Sequence, residues 1–420
     1  MRHWKFFVLV AGALACLTGV GYHVTHDAKA SAKASANAML EHGVPTNPDY
    51  LDPPALDGIE LTRMSSTTAE VTAPASSGRT AHLSLDPSLQ RTVTRLFTKR
   101  VVTEGAVVLM DLRSSRLLVY ASINEGPRRD LNVEAKAPAA SVFKVVTATA
   151  LVEKAGLTSD HKQCYRGGLH GFELSDLIED GVRDKWCATL AGAVGRSLNV
   201  IMGRLALRHL DPESLGAVAV SYGFGASVPF DVPVQPSKFA LSDDDDLEFA
   251  RTAAGFWNTT LSPMQGVMIA AIVAQRGEVV RPVLVNSVTN EKGKVIYRAP
   301  AAPQKYRQAF VSSVADSVRD MMYETFANGT AHSEFFDSKG KAYLPDIKLA
   351  GKTGSLTGKN QRFYTWLVGF AGGEEPDVAF AVLVNNGPKW HTKAPLLTRE
   401  VLRAYYSGQG AAGVSPPQVK

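Results

Sequence analysis

Ser141 and Lys144 stand three residues apart at the head of "SVFKVVTATALVEKAG", a run that is otherwise mostly apolar up to Gly156. The pattern predicts a buried helix stopped at Gly156. Residues i and i+3 share a helix face, so the Ser141 hydroxyl and the Lys144 amine should meet on the first turn. Serine is a weak nucleophile until a base takes its proton. A lysine desolvated beside other cationic groups loses basicity and becomes a free amine able to take that proton. The helix N-terminus favours the developing negative charge. The chemistry such a pair can do is nucleophilic catalysis, with Ser141 attacking and Lys144 as general base.

Two further short sets accompany the pair. Ser197-Leu198-Asn199 precedes the apolar helical run "IMGRLALRHL", and Lys352-Thr353-Gly354 ends a strand pattern and is followed by Ser355. Each set is weak evidence alone. Ser-x-x-Lys also occurs at Ser159–Lys162 and Ser338–Lys341, and Ser-x-Asn at Ser35–Asn37 and Ser122–Asn124. Taken singly, Ser141 reads as a helix cap, Asn199 as a turn residue and Gly354 as a bulge. What carries weight is the ordered set of three.

The elements that must position these residues follow from patterning. "LSLDPSLQRTVTRLF" starts a helix, with Asp86 as cap and Pro87 at its first position. "GAVVLMDLRSSRLLVYAS" is two apolar runs around the turn Arg113-Ser114-Ser115, a β-hairpin. Helical segments dominate from 141 to about 276. In "LSPMQGVMIAAIVAQRG" Ser262 caps, Pro263 follows and Gln265 is expected to complete a capping box. "SVADSVRDMMYETFANGT" is another helix. Three strand patterns, "IKLAGKTG", "FYTWLVGFAGG" and "DVAFAVLVNNG", then lead to a closing helix, "LLTREVLRAYY". The expected fold class is α+β: an antiparallel sheet that joins strands from both ends of the chain, flanked by helices, with an all-helical subdomain.

The chain has 420 residues, 45% hydrophobic and 20% charged, with a net charge of +5. These values are those of a globular protein. Lysine and arginine are scattered, which argues against a nucleic-acid surface. Arg2 and Lys5 precede an apolar run from Phe6 to Val24. This reads as a membrane anchor, N-terminus inside, over residues 1–24. A cleaved signal peptide ending at Ala28-Lys29-Ala30 and a lipoprotein signal at Cys16 compete with it. All three export the remainder. Residues 25–82 read as a low-complexity linker, 83–407 as the globular domain and 408–420 as a disordered tail. Cys164 and Cys187 could form a disulfide in an exported protein or remain two buried thiols. No Cys/His cluster has metal-ligand spacing, and the run Asp243–Asp246 reads as a solvated loop.

The ordered set resembles that of the penicillin-binding proteins and the class A β-lactamases. The likeness to the transpeptidase domain of penicillin-binding proteins runs from about Leu83 to about Tyr406. It includes "LSLDPSLQ", the first hairpin, "LSPMQGVMIAAIVAQRGEVVRPVLV" and "TWLVGFAGG". The resemblance implies that Ser141 is the acylated nucleophile, Lys144 its base and Ser197 a proton relay towards the leaving amine. It implies that Asn199 meets the substrate amide, that Lys352 supports the positive field and that Thr353 binds the substrate carboxylate. Gly354 would admit the substrate strand, and the N–H groups of Ser141 and Ser355 would form an oxyanion hole. The implied substrates are peptidoglycan stem peptides ending in D-Ala-D-Ala, cross-linked through an acyl-enzyme that β-lactams would trap. No cofactor or metal is called for, and the domain would work outside the cytoplasmic membrane, on the periplasmic or extracytoplasmic side.

Three features depart from the family pattern. The region before Leu83 looks too short for a glycosyltransferase domain and too simple for the usual pedestal. A partner glycan polymerase is therefore not inferable from a docking domain. Ser355 replaces a common threonine and keeps the hydroxyl. A D,D-carboxypeptidase or a β-lactamase is the first alternative, although no clear Glu-containing loop of the class A kind follows Asn199. A β-lactam-binding sensor or scaffold is the second. It would need an output region, for which the five residues before Phe6 are too few.

Overall fold

The computed structural model describes residues 53–167, 171–358, 361–387 and 391–411. Its centre is a five-stranded antiparallel sheet of β1 (Gly105–Asp111), β2 (Leu117–Ile123), β3 (Lys348–Thr357), β4 (Phe363–Gly372) and β5 (Pro376–Asn386), in the order β3-β4-β5-β1-β2. The sheet joins both ends of the chain, as the hairpin and late strand patterns require. Its inner strands are apolar on both faces because both faces are covered. Along β5, Ala379, Ala381 and Leu383 enter one core, while Val378, Phe380, Val382 and Val384 enter the other. This period-2 division lets one sheet serve two layers of helix.

The principal helices are α1 (Pro87–Lys99), α2 (Lys144–Ala155), α3 (Leu190–Arg196), α4 (Asn199–His209), α5 (Pro212–Ser221), α6 (Asp246–Ala253), α7 (Pro263–Ala274), α8 (Ser312–Ala327) and α9 (Ala394–Ala411). Asp86 caps α1 by accepting from the Leu89 N–H at 2.7 Å. All of α7 is buried, and its Met264, Val267, Met268 and Ile272 share the first core with Val368 and Ala381 of the sheet. Leu397, Val401 and Leu402 of α9 and Val93 and Phe97 of α1 lie in the second core. The first core continues into the helical subdomain through Val145, Val146, Ile201 and Leu205.

Several details differ from the sequence reading. The linker expected over 25–82 is folded in its later part: Ser65–Ser66, Val71–Ala75 and Arg79–Leu83 form strands of a second sheet, completed by Val285–Thr289 and Val295–Arg298. Val71, Ala73, Ala75, Ala81 and Leu83 point inward in strict alternation, but small side chains between Thr and Pro hide the pattern. The tail expected to be disordered from 408 begins as helix, since α9 runs to Ala411. The helical subdomain also holds a two-stranded hairpin, Lys162–Tyr165 with Trp186–Thr189. Cys164 and Cys187 face each other across it and are disulfide-bonded. Ser262 caps α7, but Gln265 completes no capping box: its Nε2 donates to the Tyr222 carbonyl at 2.6 Å. In the exposed run 243–246, Asp245 caps α6 by accepting from the Leu247 and Glu248 N–H groups. The apolar run Phe6–Val24 lies outside the described residues. Among the described residues no helix is long and apolar enough to cross a membrane.

Candidate active site

Ser141 lies on a 3₁₀ turn, Ala140–Phe143, and Lys144 is the first residue of α2. In a 3₁₀ turn residues i and i+3 eclipse, which stacks the two side chains more directly than an α-helical turn. The Lys144 Nζ is 2.7 Å from Ser141 Oγ, 2.7 Å from Asn199 Oδ1 and 2.5 Å from the Ala254 carbonyl oxygen. The side chain is fully buried. Burial holds its pKa well below the ordinary lysine value, and the nearby Lys352 charge lowers it further. The neutral amine fits this set of partners. It has two N–H groups, and two neighbours that can only accept: Asn199 Oδ1 and the Ala254 carbonyl. Its lone pair is then left to the Ser141 hydroxyl, which is the disposition a general base needs.

The backbone before Ser141 is clamped. Ala140 has φ 50, a left-handed conformation for a residue with a Cβ. Trp366 Nε1 donates to the Pro138 carbonyl at 2.9 Å, and Ala137 and Pro138 pair with Leu261 and Thr260. Gly255, at φ +80, packs so closely that a Cβ there would stand 2.2 Å from the Ala140 carbonyl oxygen. Gly354 lies against the same segment from the sheet side, where a Cβ would stand 3.2 Å from the Ala139 carbonyl oxygen.

Ser197 closes α3 at φ 59, and Asn199 opens α4. Lys352, Thr353, Gly354 and Ser355 lie on β3, an edge strand of the sheet. Lys352 is fully buried and its Nζ donates to the Thr353 carbonyl at 2.9 Å. Desolvation brings its pKa down to about 7. Thr330, in the turn after α8, ties the two walls together: its N–H donates to the Gly195 carbonyl at 3.0 Å, and its hydroxyl bonds that of Thr353. The result is a cleft of about 310 Å³ lined by Ser141, Ser197, Asn199, Thr353 and Ser355 among others. The three sequence sets therefore meet in one place. Thr330, Ala254 and Gly255 also shape the site and escaped the sequence reading. Their only signal was a glycine closing an apolar helical stretch, "RTAAG", and a turn, "NGT".

The sequence model of the penicillin binding protein transpeptidase domain matches residues 105–403. The chain belongs to the penicillin-binding protein transpeptidase family. Among curated members of this family, the peptidoglycan D,D-transpeptidase PbpA of Mycobacterium tuberculosis is 27% identical over 259 residues, which are 60% of this chain and 50% of that protein. The chain thus spans about half the length of the curated relatives it matches. The fold is that of the transpeptidase domain of a peptidoglycan glycosyltransferase from Eggerthella lenta, at TM-score 0.65 and 23% identity, covering 79% of this chain and 84% of that one. It is equally that of penicillin-binding protein A from M. tuberculosis in its imipenem acyl-enzyme complex, at TM-score 0.64 and 20% identity, covering 78% and 79% of the two chains.

The two buried lysines of this transpeptidase fold make its stability depend on pH. Both have folded pKa values depressed below the unfolded value, Lys352 to about 7 from 10.5. Between these limits the unfolded chain binds protons that the fold does not, so stability rises with pH. We expect the Tm of the wild type to gain on that of Lys352→Met as pH increases from about 7 towards 10, where Lys352 carries a proton only when unfolded. Parallel Tm curves for the two proteins would contradict this.

Proposed function

We propose that the chain is a serine-type peptidoglycan D,D-transpeptidase. The observation that carries the reading is the partner set of the Lys144 amine, two accepting carbonyl oxygens and one serine hydroxyl. Ser141 Oγ attacks the carbonyl carbon of the penultimate D-Ala as its proton passes to Lys144 Nζ. The amide C–N bond breaks, and the terminal D-Ala leaves with a proton relayed through Ser197. The backbone N–H groups of Ser141 and Ser355 hold the oxyanion, and Asn199 meets the substrate amide. Thr353 and Ser355, backed by Lys352, receive the terminal carboxylate. The substrate lies along the free edge of β3, while Gly354 makes room for the Ala139–Ala140 segment that carries the serine. An amine from a neighbouring stem then resolves the acyl-enzyme and forms the cross-link. A β-lactam acylates the same serine.

Hydrolytic readings require an activated water. Among the described residues the cleft is lined by no carboxylate that could activate one. Deacylation in class A β-lactamases uses a glutamate that activates water, so a cleft wall without one favours cross-linking over β-lactamase turnover. The same reading has residues 6–24 anchoring the domain outside the cytoplasmic membrane, acting on strands made by a separate glycan polymerase.

Mass spectrometry tests the proposal. After labelled penicillin, a stable adduct is expected on the peptide containing Ser141. With lipid-linked wall precursor and a polymerase, cross-linked dimers are expected. Release of penicillin within seconds, or hydrolysed monomers in place of dimers, would overturn the transpeptidase reading in favour of hydrolysis.

A further inference from the structure

Arg196 is the last residue of α3 and immediately precedes Ser197. It is exposed and lines the cleft. Its one hydrogen bond among the described residues is from Nε to the Gly192 carbonyl, at 3.4 Å, which leaves the two terminal guanidinium nitrogens uncommitted. Helix C-termini favour cations, so part of the reason for an arginine here is local. That does not account for its place in the cleft wall. The neighbouring Gly195 carbonyl is held by Thr330, whose hydroxyl bonds Thr353, so the Arg196 backbone is fixed against the sheet edge. The remaining lining beside it is apolar or uncharged apart from Lys393, with Phe256 and Leu356 on the walls. No carboxylate lines the cleft among the described residues, so an anion that meets this guanidinium inside the cleft would come with the substrate.

We propose that Arg196 is a specificity residue that binds a second carboxylate of the donor peptide, distinct from the C-terminal one. This rests on the transpeptidase reading above. Thr353 and Ser355 on the sheet edge supply hydroxyls for the terminal carboxylate, whereas Arg196 belongs to the helical wall. Its planar fork matches a carboxylate in two parallel hydrogen bonds, which an ammonium does not reproduce. The substrate class is therefore a D-Ala-D-Ala peptide carrying an additional free carboxylate upstream, in preference to its amidated counterpart.

The test measures acylation of Ser141 by two synthetic peptides ending in D-Ala-D-Ala, one with an upstream side-chain carboxylate and one with the corresponding amide. Penicillin serves as a third acylating agent. Wild type should prefer the carboxylate peptide by about tenfold, the scale of one charge-assisted pair. Arg196→Gln should abolish that preference, slowing the carboxylate peptide about tenfold more than the amide peptide or penicillin. Arg196→Lys, which keeps the charge at the helix end, should recover only part of it. Equal slowing of both peptides and of penicillin by Arg196→Gln would overturn the proposal, because Arg196 would then act on the terminal carboxylate or on structure. An effect confined to the acceptor step would overturn it as well. Failure of both peptides and penicillin to acylate the wild type would instead count against the enzymatic reading itself.

Discussion

Lys144→Met is expected to fold and to lose acylation by penicillin by roughly three orders of magnitude, the middle of the range that a general base contributes. Methionine fills most of the same volume and removes a buried amine whose desolvation opposes the fold. It also leaves Asn199 Oδ1 and the Ala254 carbonyl without their donor, at about 1–3 kcal/mol for each unsatisfied group. The two effects act in opposite directions, so Tm should move little compared with activity. Lys144→Arg should be as inactive, because a guanidinium cannot surrender its proton. Stopped-flow acylation with a fluorescent penicillin, beside thermal unfolding, separates the outcomes. Acylation within a few-fold of wild type in Lys144→Met would remove Lys144 from the role of base.

The features legible in the sequence were those that local pattern controls. β1, β2, β4 and β5 were visible because strands covered on both faces must be apolar in long runs. Gly156 was visible as a stop because the left-handed cap at φ 66 needs a residue without a Cβ. Ser141, Lys144, Ser197, Asn199 and Lys352 were visible as chemistry, yet the arrangement that gives them meaning is tertiary. Nothing in "GRSLNV" shows that Asn199 turns its oxygen to Lys144, 55 residues earlier. The Ala254 carbonyl was invisible for a plainer reason: main-chain acceptors leave no trace in residue identity. The pairing of Cys164 with Cys187 could not be decided either, since it depends on a hairpin register that their separation alone does not fix. The strands at 71–75 and 79–83 were missed because alternation among Ala, Thr and Pro has little hydrophobic contrast.

The largest effect from a residue without functional groups is expected at Gly255. Gly255→Ala should cut penicillin acylation by about 100-fold or more and destabilise the domain by several kcal/mol, on the scale of combined backbone strain and overpacking. Two causes are superimposed in that change. At φ +80 any Cβ is strained, at a cost of about 1 kcal/mol. The Cβ would also stand 2.2 Å from the Ala140 carbonyl oxygen and 3.1 Å from the Ser141 Cα, so the nucleophile's own backbone must give way. A displacement of about 1 Å at a reacting group is enough to cost two orders of magnitude. Gly156→Ala separates the causes. That glycine has φ +66, and a Cβ there would meet nothing within 4 Å. It should lose about 1 kcal/mol of stability and keep wild-type acylation. If the two variants lose acylation alike, strain at a helix end is sufficient, and the clamp on Ser141 has no special part in the chemistry. If only Gly255→Ala loses it, the position of the serine is set by the close approach of the Gly255 backbone to Ala140 and Ser141.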